Sequence, residues 1–349
     1  MRAAIPGFSG MFDRPGLEAL AQRDDVESRL VVNSRGRYTL SHGPFRRSDF
    51  RSLPASGWTL LVQGLNLHSN EADALLRRFD FIPFARLDDV MASYAVPQGG
   101  VGPHYDSYDV FLLQGPGRRR WRYGKQRDLA LVDGLPLKIL RRFAPTHDVV
   151  LAPGDMLYLP PDHAHDGTAI DACITYSIGF RAPSAQEIGE RFLDFLRDDV
   201  RLDGRYADPD LAATSEPARI DARMRKRTSA MLASIRWDDD VVGRFLGCVL
   251  SEPKPSVIFD RPLRAASLAL FGKRIAASGV DLDRRALLLY DDARFYLNGV
   301  EIALPASGLR ALRTLANQRR LSARACSRLA GGTLNLLHDW YRDGFLTPG

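Results

Sequence analysis

The sequence predicts a mainly β fold with added α: a double-stranded β-helix core, then a helical region, then a C-terminal part mixing helix and strand. Three features point there. Short apolar runs broken by turn residues recur up to about Pro183, an all-β signature. Ser184 followed by Glu187 forms a capping box, and Ile188, Phe192, Phe195 and Leu196 then recur at helical spacing. A proline-rich linker, Ser251-Glu-Pro-Lys-Pro-Ser, separates these helices from a segment in which hairpin and helix patterns alternate.

In chain order, the first region spans 1–183. Tyr94-Ala-Val-Pro-Gln-Gly-Gly-Val-Gly is a turn cluster whose glycines let backbone approach a site closely. After it, Val110-Phe-Leu-Leu-Gln, Gly115-Pro-Gly117 and Arg118-Arg-Arg-Trp-Arg-Tyr read as two strands joined by a tight turn. Leu151-Ala-Pro-Gly-Asp-Met-Leu-Tyr-Leu-Pro-Pro is a turn and a short apolar strand ended by prolines. The second region, 184–250, continues from the capped helix through a polar loop, Gly204 to Pro217, into helical periodicity from Ile220 to Leu246. In the third, 251–349, Leu287 to Ile302 reads as a hairpin with turns at Asp291-Asp and Asn298-Gly, followed by helices from Gly308 and from Leu334 to Tyr341.

The chemistry sits in the first region. Gly102-Pro-His104-Tyr-Asp106 offers His-x-Asp, and Pro160-Pro-Asp-His163-Ala-His165-Asp-Gly follows later with two histidines. Two imidazoles and one carboxylate on one face of an octahedral iron leave three positions, enough for a bidentate 2-oxo acid and dioxygen. Zinc sites close with four ligands, or three and one water, so the same set suits zinc less well. His-x-Asp alone arises by chance, and a buried histidine is more often a hydrogen-bonded core residue. The glycine-rich turn before it and the hairpin after it raise the motif above that background. From the residues alone, either His163 or His165 can complete the set.

Alternation along the second strand of the hairpin puts Arg119, Trp121 and Tyr123 on one face and Arg118, Arg120 and Arg122 on the other. If the aromatic face is inward, Arg119 is too. A buried guanidinium needs an anion, and its fork fits a carboxylate such as the distal one of 2-oxoglutarate. The outward arginines read as a solvated basic face.

Taken together, these motifs resemble the JmjC-type cupin 2-oxoglutarate oxygenases, and within them the bacterial ribosomal oxygenases that hydroxylate an arginine of large-subunit ribosomal protein sixteen. The resemblance is dense from about Asp25 to Ser184. It rests on Asp25-Val-Glu-Ser-Arg-Leu, Ser41-His-Gly-Pro-Phe, the glycine-rich run into His104-x-Asp106, Gly117-Arg-Arg-Arg-Trp-Arg, Pro153-Gly-Asp and Tyr176-Ser-Ile-Gly-Phe-Arg-Ala-Pro. It implies His104, Asp106 and His165 as Fe(II) ligands, since the family's last ligand directly precedes an acidic residue and glycine. Arg119 would hold the distal carboxylate of 2-oxoglutarate, with dioxygen as the other cosubstrate. Ser93 and Thr175 would stand beside the cosubstrate, Thr175 where relatives often carry Asn.

The resemblance also implies a homodimer through the helical region and a winged-helix-like C-terminal domain. Met1-Arg-Ala-Ala-Ile-Pro-Gly-Phe looks like the middle of a segment that relatives begin earlier, so the protein is either naturally shorter or given from an internal start; a missing N-terminal piece would leave a barrel edge uncovered without touching the ligands. Alternatives are the same chemistry on another target, such as histidine hydroxylation or lysine demethylation, and a non-catalytic cupin with a binding module.

Composition adds bounds. The chain has 349 residues, 45% of them hydrophobic, ample for cores. Cys173, Cys248 and Cys326 are scattered and odd in number, which argues against a disulfide framework or zinc knuckle. Pro6, Gly7, Asp13 and Arg14 interrupt any leader-like apolar stretch, no run is long enough to span a bilayer, and a reducing cytoplasm is the expected location. The net charge of +6, from 48 cations against 42 anions, is a modest excess. Without a basic recognition helix, direct nucleic-acid binding is not expected. Near the site, Asp109, Asp162 and Asp166 are expected to bias the mouth towards a cationic side chain.

Overall fold

The computed structural model describes residues 1–34, 36–305 and 307–349. Two compact units are present. One comprises Met1–Ala182, Pro253–Ala286 and Pro305–Gly349; the other comprises Pro183–Glu252 and Leu287–Leu304.

The first unit is built on ten strands: β1 Ser28–Ser34, β2 Arg37–His42, β3 Trp58–Val62, β4 Leu87–Ala95, β5 Val110–Gln114, β6 Arg119–Lys125, β7 His147–Leu151, β8 Met156–Leu159, β9 His163–Ala169 and β10 Cys173–Phe180. Among the described residues they form an antiparallel sheet in the order β2-β1-β3-β4-β10-β5-β8 and a second in the order β7-β6-β9. This interleaving is the double-stranded β-helix expected from the sequence.

The long sheet has two faces of different chemistry, and β10 shows why. Its sequence alternates Ile174, Tyr176 and Ile178 with Cys173, Thr175 and Ser177. Leu60, Val62, Val90, Ala92 and Tyr94 join the first set in a hydrophobic core closed by Leu17 of α1 (Arg14–Leu20), Phe50 of α2 (Arg47–Arg51), Leu65 of α3 (Leu65–His68) and Leu75 of α4 (Asn70–Arg77). On the other face the register aligns Arg29, Leu61, Ser93, Thr175 and Gln114 across five strands. Apolar residues therefore anchor the sheet from outside and leave a polar row for the lumen.

The β5–β6 turn needs Gly117, which has φ 73°, and a Cβ there would collide with the Ala172 carbonyl. At the free edge of the long sheet, the Met1 amine donates to the Met156 carbonyl and Met156 N donates to the Met1 carbonyl. Ala3 N and Arg2 bind the Asp155 carboxylate as well. The first residues thus cover part of that edge.

The C-terminal segments of this unit form α8 (Leu268–Ser278) and, beyond the second unit's strands, α9 (Leu309–Gln318), α10 (Ala323–Cys326) and α11 (Gly331–Arg342). They pack with a small sheet ordered β15-β11-β16, where β11 is Val280–Leu282, β15 Arg320–Leu321 and β16 Leu346–Pro348. Arg284 ties the segment to the barrel side, its Nε donating to the Leu67 carbonyl at 2.9 Å.

The second unit holds α5 (Ala185–Asp199), α6 (Ala222–Leu232), α7 (Asp239–Ser251) and the meander β12 (Leu288–Tyr290), β13 (Phe295–Leu297) and β14 (Val300–Ile302). Ser184 Oγ caps α5 by accepting from Glu187 N. Phe192 and Phe195 pack edge-on against Phe245. The expected hairpin forms, with Asn298 at φ 51° and Gly299 at φ 89° as its second turn. It lies against α7: Gly299 N donates to Ser251 Oγ at 3.0 Å, and Arg244 pairs with Glu301. Compact units here follow contacts, not chain order. The cysteines are all unpaired thiols.

Asp155 offers a test of the edge closure. Burial opposes its charge, but N–H groups of Ala152 and Ala3 and the Arg2 guanidinium outweigh this and lower its pKa. A carboxyl lowered on folding stabilises above its unfolded pKa and loses that contribution as pH falls through the folded value. Asp155→Asn should cost about 1–3 kcal/mol at pH 7. Urea melts should show the gap from wild type shrinking as pH falls below about 4.

Candidate metal centre and cosubstrate pocket

His104 lies outside the named strands, yet its backbone is locked to β9. His104 N donates to the His165 carbonyl at 2.9 Å, and His165 N donates back at 2.8 Å. Asp162 N donates to the Asp106 carbonyl at 2.8 Å, one residue out of that register, where Asp162 has φ 60°. Two segments about sixty residues apart in sequence are thereby held together.

Their side chains converge. One ligand atom each from His104, Asp106 and His165 lies within 4.8 Å of the others. The imidazole rings sit 4.2 Å apart at 58°, and His165 Nε2 is 3.6 Å from Asp106 Oδ2. His104 Nδ1 faces the Gly102 carbonyl at 2.9 Å and His165 Nδ1 the His163 carbonyl at 2.8 Å. A ring nitrogen against a carbonyl must donate, so both rings carry the proton on Nδ1 and leave Nε2 free for a metal. Burial, and then the neighbouring His104, pushes the His165 pKa down from the usual imidazole range, which favours the neutral ring that a metal needs. His163 is excluded from this group; its Nδ1 faces the Pro161 carbonyl at 3.1 Å.

Arg119 points inward as alternation required and is 4% exposed. Nη1 donates to Ser93 Oγ at 3.1 Å, while Nε and Nη2 are buried with no acceptor. Ser93 and Thr175 are directly opposed on β4 and β10. The Thr175 hydroxyl donates to Gln114 Oε1 at 3.0 Å, and Gln114 Nε2 is anchored on the Ile174 carbonyl at 3.1 Å. Gln114 is the site residue that the sequence reading missed. Its signal was a lone amide closing the apolar run Val110-Phe-Leu-Leu, just before the turn.

Arg118, just before β6, and Arg120 on it are exposed as expected, Arg122 is half-buried, and all three are also paired. Each takes an aspartate on an adjacent segment: Arg118 with Asp171, Arg120 with Asp148 and Arg122 with Asp166. Asp166 is therefore committed to Arg122 and is buried, which removes it from the expected acidic mouth. Asp109 accepts from the Tyr158 hydroxyl and lies 3.6 Å from Arg86, so it is largely compensated. Asp162 is exposed beside the metal group and stays available.

Gly167, two residues after His165, fits the same geometry. A Cβ there would lie 2.6 Å from the Trp121 ring, which crosses this position. His-Asp-Gly is thus a ligand, an ion-pair partner and a clearance in sequence.

The donor set suits a divalent iron with open positions, and two unpaired guanidinium N–H groups suit a carboxylate placed in the same lumen. Residues 74–188 match the JmjC domain family, and residues 234–347 match the ROXA-like winged helix. The chain is 35% identical over 318 residues to the ribosomal protein uL16 3-hydroxylase of Escherichia coli, covering 86% of this chain and 81% of that one. The chain belongs to the ribosomal oxygenase family. The probable ribosomal oxygenase of Haemophilus influenzae is 33% identical, over 84% of this chain and 68% of that one. The crystal structure of E. coli YcfD superposes with a TM-score of 0.86 at 30% identity, covering 99% of this chain and 93% of that chain. The structure of that ribosomal oxygenase with cobalt and 2-oxoglutarate gives a TM-score of 0.83.

The two neighbouring histidines can be separated directly. His165→Ala should abolish stoichiometric Fe(II) binding in anaerobic titration, whereas His163→Ala should bind within about threefold of wild type, since the half-buried His163 ring supplies no atom to the ligand group.

Proposed function

We propose that this ribosomal oxygenase is an Fe(II)- and 2-oxoglutarate-dependent hydroxylase acting on an arginine β-carbon of ribosomal protein uL16. The observation that carries the reading is the pairing, in one lumen, of an open His104–Asp106–His165 group with a buried Arg119 whose free donors lack an acceptor. When bound, Fe(II) supplies the oxidation, using dioxygen and 2-oxoglutarate to place one oxygen atom on a substrate C–H bond.

The chain's own residues do the rest. His104 and His165 present Nε2, and Asp106 a carboxylate oxygen, from one side, so the remaining side stays open. Arg119 takes the distal carboxylate of the cosubstrate and thereby fixes its reach. Ser93 holds the guanidinium in place through Nη1, and Thr175 and Gln114 brace the floor from the neighbouring strands. Burial of Arg119 and His165 keeps water from competing with the anion. The exposed Asp162 beside the metal ligands favours a cationic target side chain.

A second copy of the chain is the natural partner for the helical region, as the family suggests. Leu193 is 67% and Trp237 54% exposed there, with Ile188 also exposed, an unusual apolar load for a free surface. Sedimentation at micromolar concentration should give a dimer; a monomer would remove this part. The C-terminal elements are assigned a protein-interaction or scaffold role rather than nucleic-acid binding. Among the described residues no helix is long and apolar enough to cross a membrane.

With Fe(II), 2-oxoglutarate and air, mass spectrometry of cognate uL16 should show one added oxygen on an arginine, absent with His104→Ala. Succinate formation without that mass change would discard the substrate and keep the chemistry. Arg119→Ala should raise the KM for 2-oxoglutarate by about tenfold or more, because hydrogen bonds to a charged group are lost.

A further inference from the structure

Three of the buried side-chain atoms without a partner lie on one face of β6, and all three are donors: Arg119 Nε, Arg119 Nη2 and Trp121 Nε1. The first two are accounted for by the cosubstrate's distal carboxylate. The indole N–H is not. Trp121 is 5% exposed, and a buried N–H without an acceptor is costly, so such a group is rarely left unpaired.

Its surroundings exclude the ordinary partners. β6 is hydrogen-bonded along both edges, to β7 and to β9, with Trp121 opposite Val149 on one side and Gly167 on the other. The benzo edge, atoms Cε3, Cζ3 and Cη2, lies over Gly167, so the Nε1 edge is turned away from β9. The ring belongs to a cluster of Val110, Leu112, Leu151, Leu157 and Leu159, with Tyr123 and Val149 packed against it, and nothing in that cluster accepts from the indole N–H. What remains is the lumen. There the ring centroid lies 5.8 Å from the Arg119 guanidinium carbon and 6.0 Å from the His165 ring, which places Trp121 alongside the space between the carboxylate anchor and the metal group.

We propose that Trp121 is a cosubstrate-binding residue: its indole N–H donates to a carboxylate oxygen of 2-oxoglutarate. Its ring walls the channel between Arg119 and the metal group, in the space that Gly167 clears. This rests on the cosubstrate assignment above and adds a third donor to the two of Arg119. It also explains the glycine after His165-Asp166, since a side chain there would displace the ring and carry the donor out of line.

Two measurements test it without turnover. In 15N-labelled protein with Zn(II) as a diamagnetic metal, the indole resonance of Trp121, identified by its loss in Trp121→Phe, should move downfield when 2-oxoglutarate is added. Its hydrogen exchange should slow, while the indoles of Trp58, Trp237 and Trp340 stay in place. By anaerobic calorimetry with Mn(II), Trp121→Phe should bind 2-oxoglutarate about tenfold or more weakly, the loss expected for a hydrogen bond to a charged acceptor. A wild-type indole that neither shifts nor gains protection while calorimetry shows 2-oxoglutarate bound would overturn the proposal, whatever the affinity of the variant. If wild type with Mn(II) bound no 2-oxoglutarate at all, the cosubstrate assignment itself would fall.

Discussion

The reciprocal backbone pair between His104 and His165 is the constraint on which the site depends. Each residue donates its N–H to the other's carbonyl, so the loop that carries His-x-Asp is pinned to β9 by a single antiparallel bridge. This fixes the separation of the two imidazoles before any metal arrives. The carbonyls of Gly102 and His163 then set the ring orientation through Nδ1. A ligand set arranged by main-chain bonds is insensitive to side-chain rearrangement elsewhere, and this preorganisation is what a metal with open positions requires.

Around that pair the barrel divides its labour by strand alternation. Residues on the outer face of the long sheet form the large hydrophobic core with the N-terminal helices, and residues on the inner face form the polar row Ser93–Thr175–Gln114. Stability and chemistry are therefore carried by alternate positions of the same strands. Ser93, Thr175 and Gln114 are tolerated inside because they bind protein groups, whereas Nε and Nη2 of Arg119 have no protein acceptor and suit an anion. Arg120 and Arg122 of that strand pair with Asp148 and Asp166, and Arg118 just before it with Asp171, while the inward Arg119 keeps two donors for a ligand.

Much of this was legible in the sequence, and for physical reasons. Period-two alternation put Arg119 and Trp121 on one face, glycines marked the turn before His104 and the hairpin bend at Gly117, and Ser184 with Glu187 announced α5. What was not legible depended on pairing between distant segments. Gln114 looked like the end of an apolar run until Thr175 was seen opposite it. Asp166 looked like part of an acidic mouth, but alternation sends it to the face opposite His165, where Arg122 takes it. The hairpin from Leu287 was readable from its turns, but nothing local reveals that Gly299 binds Ser251 or that Glu301 binds Arg244. Short elements such as β11, β15 and β16 carry too few residues to show a period. His163 and His165 share one side of β9, so only the backbone register separates them.

The central claim is that the metal group and Arg119 form one site that binds Fe(II) and 2-oxoglutarate together. Anaerobic absorbance spectroscopy tests it most directly, because a 2-oxo acid chelating Fe(II) produces a charge-transfer band in the visible region. The account predicts that the band appears when 2-oxoglutarate is added to the Fe(II)-loaded protein, requires a much higher concentration in Arg119→Ala, and is absent in His165→Ala. Stoichiometric Fe(II) binding with no band at saturating 2-oxoglutarate in the wild type would contradict it.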